Sequence, residues 1–259
     1  MTRTAAPLVR VERIDDGRLA CVLLDAGRGN VIGTRVIAEL SAALASLARD
    51  GELRAILLDH AGPDFSFGAS VEEHAPDKVA GMLQALHALA CDLASFPIPT
   101  LAAVRGRCLG GGLELVALCD IVFAACDAKF AQPELNLGVF APIGSLALPR
   151  LMGAQRAAEF VLSGRTLDAD EARHAGLVFA LADDPTAAAS AWIDEHLGSK
   201  STSSLRHGVQ ALRGPWAARF VEELARLETQ YVHELMATHD AVEGIRAFLD
   251  KRSPRWSNS

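Results

Sequence analysis

Two glutamates twenty residues apart, Glu114 and Glu134, stand out in this 259-residue chain because each sits in an apolar run. Glu114 falls in LELVAL, directly after the triplet Gly110-Gly111-Gly112, and Glu134 falls in KFAQPEL. A carboxylate among apolar neighbours is costly to ionise, so it is paired or it is working. Two such groups suit paired acid–base chemistry, in which one carboxyl donates a proton while the other accepts one. The glycine triplet follows the buried-strand pattern TLAAV and opens a short helix. Its first amides have no partner inside that helix and lie at the positive end of the dipole, where they suit an anion or a developing oxyanion. The same glycines also suit a tight strand-to-helix crossing, so the triplet by itself leaves both readings open.

The elements that must hold these groups follow from periodicity. Apolar runs at Leu19–Asp25, Arg54–Asp59, Thr100–Val104 and Asp120–Ala125 predict strands. Thr34 is positioned to cap a helix through VIAELSAALASLAR, and a second helix is expected over Asp77–Ser95, ended by Pro97 and Pro99. This alternation predicts parallel pairing in an α/β fold. From Gly144 on, the pattern is mainly helical, with one strand at Leu177–Leu181. Helical segments are expected at Ala187–Leu197, Leu205–Leu212, Ala217–Met236 and His239–Asp250. The expected organisation is an α/β core over 1–195 followed by a helical C-terminal region over 196–259.

Composition narrows the partners. The net charge of −7 argues against nucleic acid and anionic membranes. No apolar run approaches the ~20 residues of a membrane span, and Met1–Arg13 has no apolar leader core, so a cytoplasmic protein is expected. Five cysteines without a CxxC pair read as small hydrophobes. Glu72-Glu73-His74 and Asp194-Glu195-His196 lack metal-ligand spacing and read as solvated surface, so no metal is expected. Gly27-Arg28-Gly29-Asn30-Val31-Ile32-Gly33 has GxGxxxG spacing, one residue too long for a dinucleotide fingerprint, and reads as an ordinary strand-to-helix loop.

At the residues singled out above the chain resembles the enoyl-CoA hydratase/isomerase (crotonase) family, whose pattern is a glycine triplet, x-Glu, and about twenty residues later Gln-Pro-Glu. Phe65–Glu73 is similar to the family's Phe-x-x-Gly-Ala-Asp segment, and LSGR (162–165), ARHAGLV (172–178) and GIRAFLDK (244–251) extend the likeness over almost the whole chain. The resemblance implies a core of repeated ββα units with a helical C-terminal trimerisation region, and a homotrimer or dimer of trimers. It implies a hydro-lyase that adds water across a double bond conjugated to a coenzyme A thioester, with coenzyme A part of the substrate and no separate cofactor. The Ala69 and Gly111 amides would hold the thioester oxygen, Glu114 would activate water and Glu134 would exchange the α-proton. Gly68, Ser70, Val71, Gly110 and Phe140 are expected to contact substrate, and Phe248 and Lys251 to reach the adenine end. Ser70 stands where the family has Asp, and Gly138–Arg150 is bulkier than the family's Pro-Gly-x-Gly-Gly. Phe65, Phe67, Phe140, Pro142 and Ile143 are expected to shape a compact pocket, and these segments resemble family members that act on a cyclic dienoyl-CoA. The alternatives are an enoyl-CoA isomerase, for which one acid–base group suffices, and a non-catalytic RNA-binding relative, which the two intact glutamates and the net charge disfavour.

Overall fold

A computed structural model describes residues 6–14 and 16–259. The stretch Met1–Arg13, read above as lacking a leader, is therefore described only from residue 6, and residues 1–5 lie outside it. The strands are β1 (Val9–Ile14), β2 (Leu19–Leu24), β3 (Ala55–His60), β4 (Thr100–Val104), β5 (Arg107–Leu109), β6 (Ile121–Ala124), β7 (Lys129–Ala131), β8 (Thr166–Asp168) and β9 (Ala180–Leu181). The helices are α1 (Thr34–Ala48), α2 (Val79–Ala94), α3 (Gly111–Ala117), α4 (Pro142–Met152), α5 (Ala154–Ser163), α6 (Ala169–Ala175), α7 (Pro185–Leu197), α8 (Thr202–His233) and α9 (His239–Leu249).

Two sheets result. The larger runs β1-β2-β3-β4-β6-β9, parallel except for the antiparallel edge pair β1–β2. Its middle strands are buried on both faces, which is why β3 (AILLDH) and β4 (TLAAV) read as unbroken apolar runs. One face packs against α1 and α2. The other sets Leu57, Leu101 and Phe123 against Ala189 and Ile193 of α7. The smaller sheet, β5-β7-β8, is built from strands of three residues. Repetition of strand, strand and helix along β1-β2-α1, β4-β5-α3 and β6-β7-α4 gives the expected ββα architecture.

Three expectations are corrected. Thr34 does not cap α1: Gly33 is the cap residue, and the Glu73 carboxylate accepts from the Thr34 amide at 2.9 Å and its hydroxyl at 2.8 Å. The two helices expected at Leu205–Leu212 and Ala217–Met236 form one, α8, which continues through Pro215 to His233. Buried Arg213 secures it there by donating to the Phe96 and Ile98 carbonyls at 2.6 and 2.7 Å, which offsets the amide lost at proline. The strand expected at Leu177–Leu181 shrinks to Ala180–Leu181, because Leu177 and Val178 turn into the core. The C-terminal helices are not an appendage: α8 packs along α2 and α4, and so closes over the region between α3 and α4.

Candidate active site

Gly68, Ala69, Gly110 and Gly111 bring two backbone turns into contact. Gly110 has φ 49 and ψ −128, a conformation for glycine alone, and Gly68 has φ 95. The approach is close: a Cβ at Gly111 would lie 3.1 Å from the Ala69 nitrogen, and one at Gly68 would lie 3.0 Å from the Leu109 carbonyl. The Ala69 turn is held from behind by the loop that mimicked a dinucleotide fingerprint. Phe67 N donates to Gly29 O at 2.7 Å, Ile32 N to Gly68 O at 2.9 Å and Ser70 N to Ile32 O at 3.0 Å. Ser66 Oγ accepts from Gly68 N at 3.0 Å and donates to Asn30 O at 2.8 Å. The amides on either side of Ala69 are thus occupied. Neither the Ala69 nor the Gly111 amide donates to a described residue, and both residues line the same cleft.

Both glutamates face that cleft. Glu114 enters on the first turn of α3, and its Oε1 accepts from Gly144 N at 2.7 Å, at the start of α4. Its carboxyl is raised above the usual carboxylate range by burial, while the Gly144 and Ile143 amides pull the other way. Glu134 opens a short 3-10 turn after Pro133. Gln132 Nε2 donates to its Oε1 at 3.1 Å, and its Oε2 is buried without a protein partner. Burial raises Glu134 as well, and the charge of Glu114 raises it further. Both carboxyls are thus raised, Glu114 against the pull of a helix N-terminus and Glu134 with the charge of Glu114 added to its burial.

Of the other residues expected to contact substrate, Gly68, Val71, Gly110 and Phe140 line the cleft. Ser70 does not: its amide is bonded to Ile32, and its carbonyl accepts from Glu73 N and faces His74 Nδ1 at 2.8 Å. Phe67 and Pro142 join the lining, but Phe65 and Ile143 are wholly buried and face the core. The Glu72-Glu73-His74 cluster is not free surface either, since Glu73 ties α1 and His74 lines the cleft. Asp194-Glu195-His196 is exposed as expected. No disulfide forms among the five cysteines, and no cluster of metal-ligating side chains occurs among the described residues.

Sequence reasoning missed His87 and Tyr231, which line the cleft from α2 and α8. A signal existed for the second. Tyr231 is the chain's sole tyrosine, and it shares one helical face with Ala217, Phe220 and Leu224.

Amide donors beside an acid–base carboxyl pair, held at a ββα crossing, define a class of site that polarises a carbonyl and moves protons next to it. The enoyl-CoA hydratase/isomerase family model matches residues 18–259. The chain belongs to that family. It is 48% identical over 259 residues, the full length of both chains, to a cyclohexa-1,5-dienecarbonyl-CoA hydratase of Thauera aromatica. It is 35% identical over 255 residues, 96% of this chain and 98% of the relative, to a probable enoyl-CoA hydratase of Mycobacterium bovis. A crystal structure of an enoyl-CoA hydratase from Mycobacterium avium superposes with a TM-score of 0.86 at 29% identity, covering 98% of this chain and all of that one.

Proposed function

We propose that this enzyme hydrates the conjugated double bond of an acyl-CoA thioester, and that its substrate is a cyclic dienoyl-CoA. The observation that carries the hydratase reading is the pair of glutamates that line one cleft beside two unoccupied amides. The thioester oxygen accepts from the Ala69 and Gly111 amides and gains charge as water attacks the β-carbon. Ionised Glu114 removes a proton from that water, and protonated Glu134 delivers one to the α-carbon. Amides and carboxyls supply every step, so the mechanism calls on no metal or redox group.

Two things support a ring. The cleft has Phe67, Phe140 and Pro142 in its wall, flat and rigid side chains that suit a ring better than a long flexible chain. The full-length relative from Thauera aromatica bears a name for that substrate. The test is a panel of cyclic, branched and linear enoyl-CoAs with products identified by mass spectrometry. The cyclic dienoyl-CoA should be hydrated at least ~10-fold more efficiently than crotonyl-CoA, the low end of what a shape mismatch is worth. Equal rates, or faster linear substrates, would remove the ring and leave the hydratase.

Assembly as a homotrimer or dimer of trimers belongs to the same proposal. Leu212 and Val221 on the outer face of α8 are exposed, as a helix that packs against another copy requires. Light scattering should give a multiple of three protomers, and a stable monomer at micromolar concentration would contradict it. Among the described residues no helix is long and apolar enough to cross a membrane, which fits the cytoplasmic placement proposed here.

A further inference from the structure

The wall of the cleft formed by α2 and α8 carries two polar groups that the mechanism above does not use. Tyr231 is 1% exposed, and its hydroxyl has no partner among the described residues. Its ring packs against Phe140 at 5.2 Å, which fixes the phenol in place. His87 is 4% exposed. Its Nδ1 lies 2.6 Å from Glu228 Oε2, and its Nε2 is buried without a partner. Both residues line the cavity that holds Glu114 and Glu134.

Such groups are expensive. A buried donor or acceptor left unmade costs free energy, and a buried tyrosine hydroxyl ordinarily finds a partner. The two here are complementary. Burial keeps His87 in its neutral form against the pull of Glu228. With Nδ1–H donating to that carboxylate, Nε2 is left as an acceptor. The Tyr231 phenol also stays protonated, because burial and then the charges of Glu134 and Glu114 all oppose its ionisation, so it is a donor. One donor and one acceptor on the same wall match a hydroxyl or a water, which needs both. Tyr231 shares the cleft with both glutamates and with the Ala69 and Gly111 turns.

We propose that Tyr231 Oη and His87 Nε2 form a second polar subsite that holds the oxygen added in the reaction, as water before attack and as the product hydroxyl afterwards. The inference rests on the hydratase reading. Tyr231 donates to the water oxygen, and His87 accepts the water proton that Glu114 does not take. The lone pair left free is thereby directed at the β-carbon. Glu228 is a positioning residue that fixes the imidazole tautomer.

The experiment compares two reactions of one protein. Hydration is followed with the cyclic dienoyl-CoA, and exchange of the α-proton with saturated cyclohexanecarbonyl-CoA in deuterium oxide. Exchange needs the amide donors and Glu134 in its carboxylate form, which takes the α-proton and returns a deuteron, but no attacking water. In Tyr231→Phe and in His87→Phe, the ratio of hydration to exchange should fall about 10- to 100-fold, the weight of one hydrogen bond to a charged or charging group. Exchange itself reports that each variant is folded, and two variants guard against failure of one. An unchanged ratio, whether both rates fall together or both persist, would overturn the subsite and leave the hydratase standing. A native enzyme that exchanges the α-proton but hydrates none of the enoyl-CoA panel would remove both.

Discussion

Under the proposed mechanism Glu114, which is buried, and Glu134, which is half-buried, divide their labour because their surroundings differ. A helix N-terminus holds Glu114, while Glu134 has one amide side chain and an unpartnered oxygen. Glu114→Gln and Glu134→Gln should each lower turnover at least ~10²-fold, the usual weight of a general acid or base. Stability should move the other way. A carboxyl whose folded pKa is raised contributes stability below its unfolded pKa and loses it as pH rises through the folded value. At neutral pH the pair is therefore a liability, and the neutral glutamine removes it. Thermal unfolding of each variant should shift up by about 2–4 °C per kcal/mol relieved. A variant that lost activity and also melted lower would mean the carboxylate was structural. Hydration should also give a bell-shaped pH profile. It falls at low pH when Glu114 gains a proton and at high pH when Glu134 loses its own, with the acid limb above the usual ~4.3 of glutamate. Both glutamates stood out in the sequence because each falls in an apolar run, although Glu114 lies on α3 and Glu134 on a 3-10 turn. His87 and Tyr231 did not, since a histidine and a tyrosine on apolar helical faces read as ordinary core.

At the scale of elements, the site depends on turns that hold amides free. Gly110 cannot take a side chain: its φ is 49, and a Cβ would come within 2.6 Å of Glu134 Oε1. At Gly111 a Cβ would instead crowd the Ala69 amide at 3.1 Å. Gly111→Ala should therefore block the carbonyl oxygen and lower turnover ~10²–10³-fold, as loss of an oxyanion donor does, with little loss of stability. Circular dichroism and kinetics on one preparation check this, and a folded, fully active variant would refute the oxyanion assignment. The parallel strands and their helices followed from apolar periodicity. The three-residue strands β5, β7 and β8 did not, because runs that short carry no period. The Gly27–Gly33 loop read as an ordinary connection, and its work as a brace for the Ala69 turn depends on long-range backbone bonds that no local pattern encodes.

Over the whole molecule, the C-terminal helices and the core pack around the cleft, and the periodicity of Ala217, Phe220, Leu224 and Tyr231 marks the inward face of α8 without showing that it meets the glutamates. His60, which does not line the cleft, offers an independent check on burial. His60 at the end of β3 is held to about 4, first by burial and then by Arg105, with Asp59 opposing. Its depressed folded value means stability is full above the unfolded ~6.5 and declines as pH falls through that value towards 4. The stability of the native chain in urea should decline more steeply over this window than that of His60→Gln. Parallel declines would show that the imidazole is hydrated in the fold.

The claim that two glutamates add water to a thioester-conjugated double bond is tested most directly with labelled water. The cyclic dienoyl-CoA is incubated with enzyme in H₂¹⁸O, and the product mass is read for the native chain and for Glu114→Gln. The account predicts one labelled oxygen in the native product and at least a ~10²-fold slower appearance of that product in the variant. A rearranged product of unchanged mass and without label would contradict it, and would make the enzyme an isomerase.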